Sequence, residues 1–204
     1  MSQMPLGQPN PLMPTTVTTV HQRPGSGSPM DRSVLLCGVG SVGRPLATQL
    51  HLLGVWHVTL VDPKYYFSRS VETQCDPQDV QCRKVDVVSA IAERAGMTTV
   101  ARADDIYAVP DGVLREGALL IACTDNTRAT IRANRLAARM QSPLLKVNIE
   151  PLLDCVSVRA YQACRETTPC AECQLSDRHY EQQTHPHSCD AVTTARRTAG
   201  SREL

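Results

Sequence analysis

Two groups of residues have the types and spacing for chemistry. The first is Gly38-Val39-Gly40-Ser41-Val42-Gly43, a G-x-G-x-x-G run. In a strand–turn–helix context Gly38 permits the tight turn, Gly40 lets backbone approach a phosphate, and Gly43 lets helix and strand pack closely. The helix that follows presents free N–H groups to an anion. Asp62 lies 19 residues after Gly43, where an acidic group can accept hydrogen bonds from ribose hydroxyls. Together these residues make a nucleotide site, which fits a nicotinamide- or flavin-linked dehydrogenase as well as an ATP enzyme. The second group is Cys170-x-x-Cys173, which brings two thiolates within reach of one Zn²⁺ but is half of a four-ligand site. Cys164, Cys189, His179, His185 and His187 are the available substitutes for the other half, and an unpaired or reducible thiol pair is the rival reading. Cys189, close to His187, is an activated thiol, a zinc ligand or a free surface cysteine.

The elements that must position these groups alternate between strand and helix. Val34–Cys37 is a short apolar run ending at Gly38. Leu46, Leu50 and Leu53 recur at helical spacing, and Gly54 stops that helix. Val58–Val61 is the next strand. Residues 79–95 read as a helix with Val85, Val88 and Ala92 on one face, closed by Gly96. Thr98–Ala101, Ala118–Cys123 and Leu144–Ile149 read as strands. Residues 127–140 read as a helix with Ala133, Leu136, Ala137 and Met140 inward, and its arginines Arg128, Arg132, Arg135 and Arg139 as a solvated face. Cys155–Tyr161 alternates polar and apolar residues, as a half-exposed antiparallel edge strand does. The expected fold is α/β, a Rossmann-like, doubly wound and mostly parallel sheet with an antiparallel extension and a Cys-rich C-terminal segment. Residues 1–31, rich in Pro, Gly, Ser and Thr, read as a disordered arm; residues 32–163 form the α/β domain, and 164–204 a Cys/His-rich tail.

Composition narrows the partners. The 204 residues carry 21 Lys+Arg against 20 Asp+Glu, a net charge of +1, which argues against nucleic acid and anionic membranes. Aromatics are 3%, too few for base-stacking platforms. No apolar run approaches the roughly 18 residues that span a bilayer. Nine cysteines without an export signal point to a reducing, cytoplasmic setting.

Past Asp62 the residues depart from a dehydrogenase. Val61-Asp62-Pro63-Lys64-Tyr65-Tyr66-Phe67-Ser68-Arg69-Ser70-Val71-Glu72-Thr73-Gln74 resembles the V-D-x-D-x-V-x-x-S-N-L-x-R-Q segment of the ThiF/MoeB/HesA family, the ubiquitin-activating-enzyme-like adenylyltransferases. Asp79-Val80-Gln81-Cys82-Arg83-Lys84 resembles that family's D-V-G-x-x-K. Cys123-Thr124-Asp125-Asn126, with Asn134 eight residues on, resembles its C-T-D-N and helical Asn. Pro169-Cys170-Ala171-Glu172-Cys173 resembles its P-C-x-x-C zinc half-site, and Ser188-Cys189 its later step near the reactive thiol. The resemblance implies ATP and Mg²⁺ as ligands, with Zn²⁺ at the cysteines. It implies adenylation of the C-terminal carboxylate of a small carrier protein ending Gly-Gly, with pyrophosphate release, and a homodimer. It implies that Lys84 reaches the phosphates, that Asp125 holds Mg²⁺, and that Asp62 keeps the ribose. Arg69, Gln74, Asn126 and Asn134 complete the implied nucleotide site, and Cys189 is the implied reactive thiol.

The chain also departs from that pattern. Lys64 stands where the family has an acidic residue, Thr73 where it has an Arg, and Gln81 where it has a Gly. The missing guanidinium matters most, because positive charge at a transferring phosphate carries much of the rate; Arg69 and Arg83 are the nearby substitutes. After Cys189 the motifs stop, and Ala191–Arg197 lacks the family's apolar helices. The expectation is a chain truncated, naturally shortened, or completed by another subunit. The alternatives are a catalytically impaired nucleotide-binding scaffold and, lower, an NAD-linked oxidoreductase.

Overall fold

The structure, a computed structural model, describes residues 33–113, 118–150, 155–162 and 170–175. The arm at 1–31, Cys164, His179, His185, His187 and Cys189 lie outside the described residues.

Six strands form one sheet: β1 (Ser33–Cys37), β2 (His57–Val61), β3 (Thr98–Arg102), β4 (Leu119–Ala122), β5 (Leu144–Glu150) and β6 (Cys155–Tyr161). Their order is β3-β2-β1-β4-β5-β6. The pairs among the first five are parallel, and β5–β6 is antiparallel. Because β1 is central, its residues are buried on both faces, which is why it reads as a continuous apolar run. Leu35 and Cys37 point to one core, with Leu120, Ala122 and helix α3 (Thr127–Arg139) through Ala133, Leu136 and Ala137. Val34 and Leu36 point to the other, with Ala47 of α1 (Gly43–Gln49) and Val85, Val88 and Ala92 of α2 (Lys84–Arg94). Each fully buried aliphatic side chain stabilises by about 1.5–3 kcal/mol, so the two clusters hold the sheet between its helices. This is the doubly wound α/β arrangement.

Three expectations change. The second helix begins at Lys84, not at residue 79. Asp79 ends a 3-10 turn, Val80 is extended with ψ 135°, and Gln81 adopts φ 69°. A left-handed residue cannot continue a right-handed helix, so the chain restarts from the extended Arg83. Leu53 is exposed, because the helix after Leu50 tightens into a 3-10 turn that rotates it outward. Strand β6 does not alternate: Val156 and Val158 are both exposed, and Tyr161 is its buried residue. Among the described residues no helix is long and apolar enough to cross a membrane.

Candidate functional site

The carboxyl ends of β1, β2 and β4 converge where a doubly wound sheet opens its crevice. The turn after β1 sits there. Gly38 has φ 87°, and a Cβ on it would lie 2.7 Å from the carbonyl oxygen of Cys123. A Cβ on Gly43 would overlap the carbonyl oxygen of Gly38. Both positions therefore require glycine, one for conformation and space and the other for space alone. Gly40 faces the side chain of Gln74, whose Oε1 lies 3.6 Å from where a Cβ would be.

Asp62 directly follows β2 and is buried. Its Oδ2 accepts from the Val39 amide at 2.9 Å and its Oδ1 from the Lys64 amide at 2.8 Å. The carboxylate thus staples the glycine turn to the end of β2. Each oxygen keeps a second lone pair for a further donor.

The restart of α2 places Lys84 at its first residue, with the amide bound to the Lys64 carbonyl at 3.1 Å. The side chain is buried, and Nζ donates to Gln74 Oε1 at 2.6 Å. Burial pulls the ammonium below its ordinary value, while the charges of Asp62 and Asp125 work against that shift. Lys84, Asp62 and Asp125 therefore share one electrostatic neighbourhood beside the glycine turn. No carboxylate among the described residues is within ion-pair distance of Nζ, so its positive charge is available to an anion.

Asp125 and Asn126 follow β4. Asn126 caps α3, its Oδ1 accepting from the Ala129 amide at 3.1 Å. Asp125 is exposed and is not the cap. Thr124, beside Gly38, has a buried hydroxyl without a hydrogen-bond partner. Among the described residues no three His, Cys, Asp or Glu side chains cluster for a metal. One carboxylate beside an orphaned hydroxyl suits Mg²⁺, which is held by one or two carboxylates, waters and substrate phosphates rather than by a protein cage. Asp125 and Thr124 are the residues that would hold it.

Other predicted residues lie elsewhere. Arg69 is exposed, its guanidinium 5.4 Å from the centre of the Phe67 ring. Arg83 donates to the Tyr65 hydroxyl at 3.1 Å. Asn134 is buried on α3 against the cysteine segment: its Oδ1 accepts from the Ala171 amide at 3.0 Å, and Nδ2 donates to Glu172 at 3.1 Å and to Cys170 Sγ at 3.5 Å. The Sγ atoms of Cys170 and Cys173 are 3.5 Å apart. Burial raises the Cys170 thiol, but hydrogen bonds from the Cys173 amide and thiol, Asn134 and the Glu172 amide outweigh it, and the net shift is downward. A thiol eased toward thiolate beside a second one suits Zn²⁺. Among the described residues no third His, Cys, Asp or Glu joins the pair. The cysteines nearest the glycine turn are different. Burial holds Cys123 up to about 12 and raises Cys37 and Cys75 as well, so these stay thiols. Of the α3 arginines, Arg128, Arg135 and Arg139 are exposed, as a solvated face requires, while Arg132 is half-buried. Arg132 donates to the carbonyls of Ile106 and Val109, Arg139 pairs with Asp111 at 2.8 Å, and Arg135 with Glu172 at 3.1 Å.

Two residues escaped sequence reasoning. Tyr66 is fully buried, and its hydroxyl donates to the Val39 carbonyl at 3.4 Å. The Lys84 ammonium sits 5.3 Å and the Arg44 guanidinium 5.5 Å from its ring centre. Tyr65 and Phe67 on either side are exposed. The period of an extended segment was the available signal, but it does not say which of the three aromatics turns inward.

The sequence profile of the ThiF family matches residues 30–200, most of the chain. The chain belongs to the ThiF family. The match continues past Cys189, where the short motifs end. No curated protein matches the sequence significantly. Among solved structures the fold is similar to the crystal structure of E. coli MccB with succinimide, at TM-score 0.59 and 16% identity, covering 80% of this chain and 51% of that one. It is also similar to E. coli MccB with AMPCPP and selenomethionine MccA, at TM-score 0.59 and 16% identity, covering 76% and 48%. This ThiF-family chain spans about half the length of those structures, and the likeness is one of fold.

Proposed function

We propose that this chain binds ATP along the Gly38–Gly43 turn and adenylates a carboxylate, the C-terminal carboxylate of a small carrier protein or peptide. The carboxylate oxygen forms a bond to the α-phosphorus, the bond from that phosphorus to the bridging oxygen breaks, and pyrophosphate leaves. The observation that carries the reading is Lys84, a buried ammonium held by a neutral amide and facing the same crevice as the glycine turn. Family membership supports it, as does a structure similar in fold that holds AMPCPP, an ATP analogue, and MccA.

The chemistry asks for position and positive charge. Attacking carboxylate and phosphate repel one another, so the enzyme's work is to hold them together and offset the charge. Asp62 fixes the glycine backbone against β2, and Lys84 places a point charge at the phosphates, oriented by Gln74. Mg²⁺, when bound at Asp125 and Thr124, supplies further neutralisation of phosphate charge. The Gly-Gly carrier and the homodimer belong to the same proposal, as does Zn²⁺ at Cys170 and Cys173.

Exchange of labelled pyrophosphate into ATP, with a panel of Gly-Gly-ended carriers, tests it. Carrier-dependent exchange that falls roughly a hundredfold in Lys84→Met is the expected result. ATP bound tightly with no exchange for any carrier would favour the scaffold reading, which Thr73 at the mouth of the site supports.

A further inference from the structure

We propose that Arg44 is the second phosphate-binding cation of this pocket, acting where Thr73 leaves no guanidinium. This rests on the ATP-binding reading above. Arg44 directly follows Gly43 and lies in the first turn of α1. With Val71, Thr73, Gln74, Cys75 and Asp76 it lines an open depression of about 250 Å³. Gln74 joins that depression to the glycine turn: its Oε1 holds Lys84 at 2.6 Å and faces Gly40. Arg44 therefore lines a depression whose Gln74 also holds the buried Lys84, on the side where Thr73 contributes no charge.

Its immediate surroundings orient it without consuming it. Arg44 and Lys84 share the ring of the buried Tyr66, which also bonds the glycine turn. Nη1 donates to Asp79 at 2.9 Å, and that carboxylate is largely shielded from solvent. Nη2 reaches Asp76 at 3.3 Å, and Asp76 is 62% exposed. The first contact is short and protected; the second is longer and wet, and exposed pairs of that kind contribute little. An arriving phosphate oxygen competes with Asp76 for Nη2 while Asp79 keeps the guanidinium plane in place. A guanidinium has five donors in a fixed fork, so one face can stay anchored while another binds the anion. Arg69 and Arg83, the substitutes suggested by sequence, are turned to Phe67 and Tyr65.

The rival role for Arg44 is purely structural, as a staple between α1 and the 76–79 turn. Calorimetric titration of the full chain with ATP–Mg²⁺, inorganic tripolyphosphate and adenosine separates the two. In Arg44→Ala, ATP and tripolyphosphate are expected to weaken on the order of tenfold to a hundredfold, the loss of a charge-assisted hydrogen bond. Adenosine is expected to stay within about twofold. Asp76→Asn, at an exposed position, removes the competitor, so both polyphosphate ligands are expected to tighten severalfold. Unchanged ATP affinity in Arg44→Ala, an equal loss for adenosine, or weaker polyphosphate binding in Asp76→Asn overturns the assignment and leaves the ATP site standing. Wild-type protein that binds neither ATP nor tripolyphosphate sinks both readings.

Discussion

The glycine-turn mouth and the Cys170–Leu175 segment are built in opposite ways. At the mouth, backbone holds backbone and carboxylate. Gly38 bonds the Val61 carbonyl at 2.8 Å, Asp62 takes the Val39 and Lys64 amides, and Lys84 closes on Lys64. The cysteine segment hangs on side chains of α3: Asn134 takes three of its groups, and Arg135 pairs with Glu172. Ala171 does reach the core beside Tyr161. A site made by strand ends and tight turns is as rigid as the sheet. A segment tied by a few side chains can be loosened by a single substitution without disturbing the sheet.

The largest effect that sharpens this contrast is expected at Gly43. Gly43→Ala drives a Cβ into the Gly38 carbonyl, and the loss is about 3 kcal/mol or more, read as a lowered thermal midpoint with weakened ATP binding. A midpoint within a degree or so of wild type would mean the turn is looser than its geometry shows. Next is Asn134→Ala, which leaves the Ala171 amide without its acceptor and takes one donor from Glu172, which Arg135 still holds, at a cost of about 1–3 kcal/mol. Cys173 should then react faster with a thiol reagent while ATP affinity stays within twofold. A matching fall in ATP affinity would return Asn134 to the nucleotide site and blur the two regions.

A smaller gain is expected from Gln81→Gly. A side chain at φ 69° costs about 1–2 kcal/mol, partly offset by the extra freedom glycine has when unfolded. Net stabilisation near 1 kcal/mol in denaturant unfolding is the outcome. Smallest is the proton linkage of Lys84. Its pKa lies below 10.5 when folded, so between the folded and unfolded values the unfolded chain binds more protons and stability rises with pH. ATP affinity moves the other way, falling as pH passes the folded value. Lys84→Met should remove both slopes.

Much of the scaffold was legible. Leu35, Leu36 and Leu120 lie in strands buried on both faces, and continuous apolar runs announce that. The glycine spacing and Asp62 were legible because turn and strand end are local. The start of α2 was not, because Asp79 and Val80 look helical until the backbone reverses at Gln81. Ironically, the departure from glycine at that position marks why the family pattern has one. Tyr66 and Arg44 were invisible for another reason. Their roles come from approaches between the 62–84 region and α1 that no local period encodes. Asn134 was legible as a motif residue, but its partners 36–38 residues away were not.

The most direct test is calorimetric titration of ATP–Mg²⁺ into wild-type chain and Lys84→Met at neutral pH. Saturable binding by the wild type, lost at least tenfold in a Lys84→Met protein whose thermal midpoint is unchanged or higher, is the predicted result, since removing a buried charge relieves its desolvation. Equal binding by the two proteins would contradict a phosphate site built around Lys84.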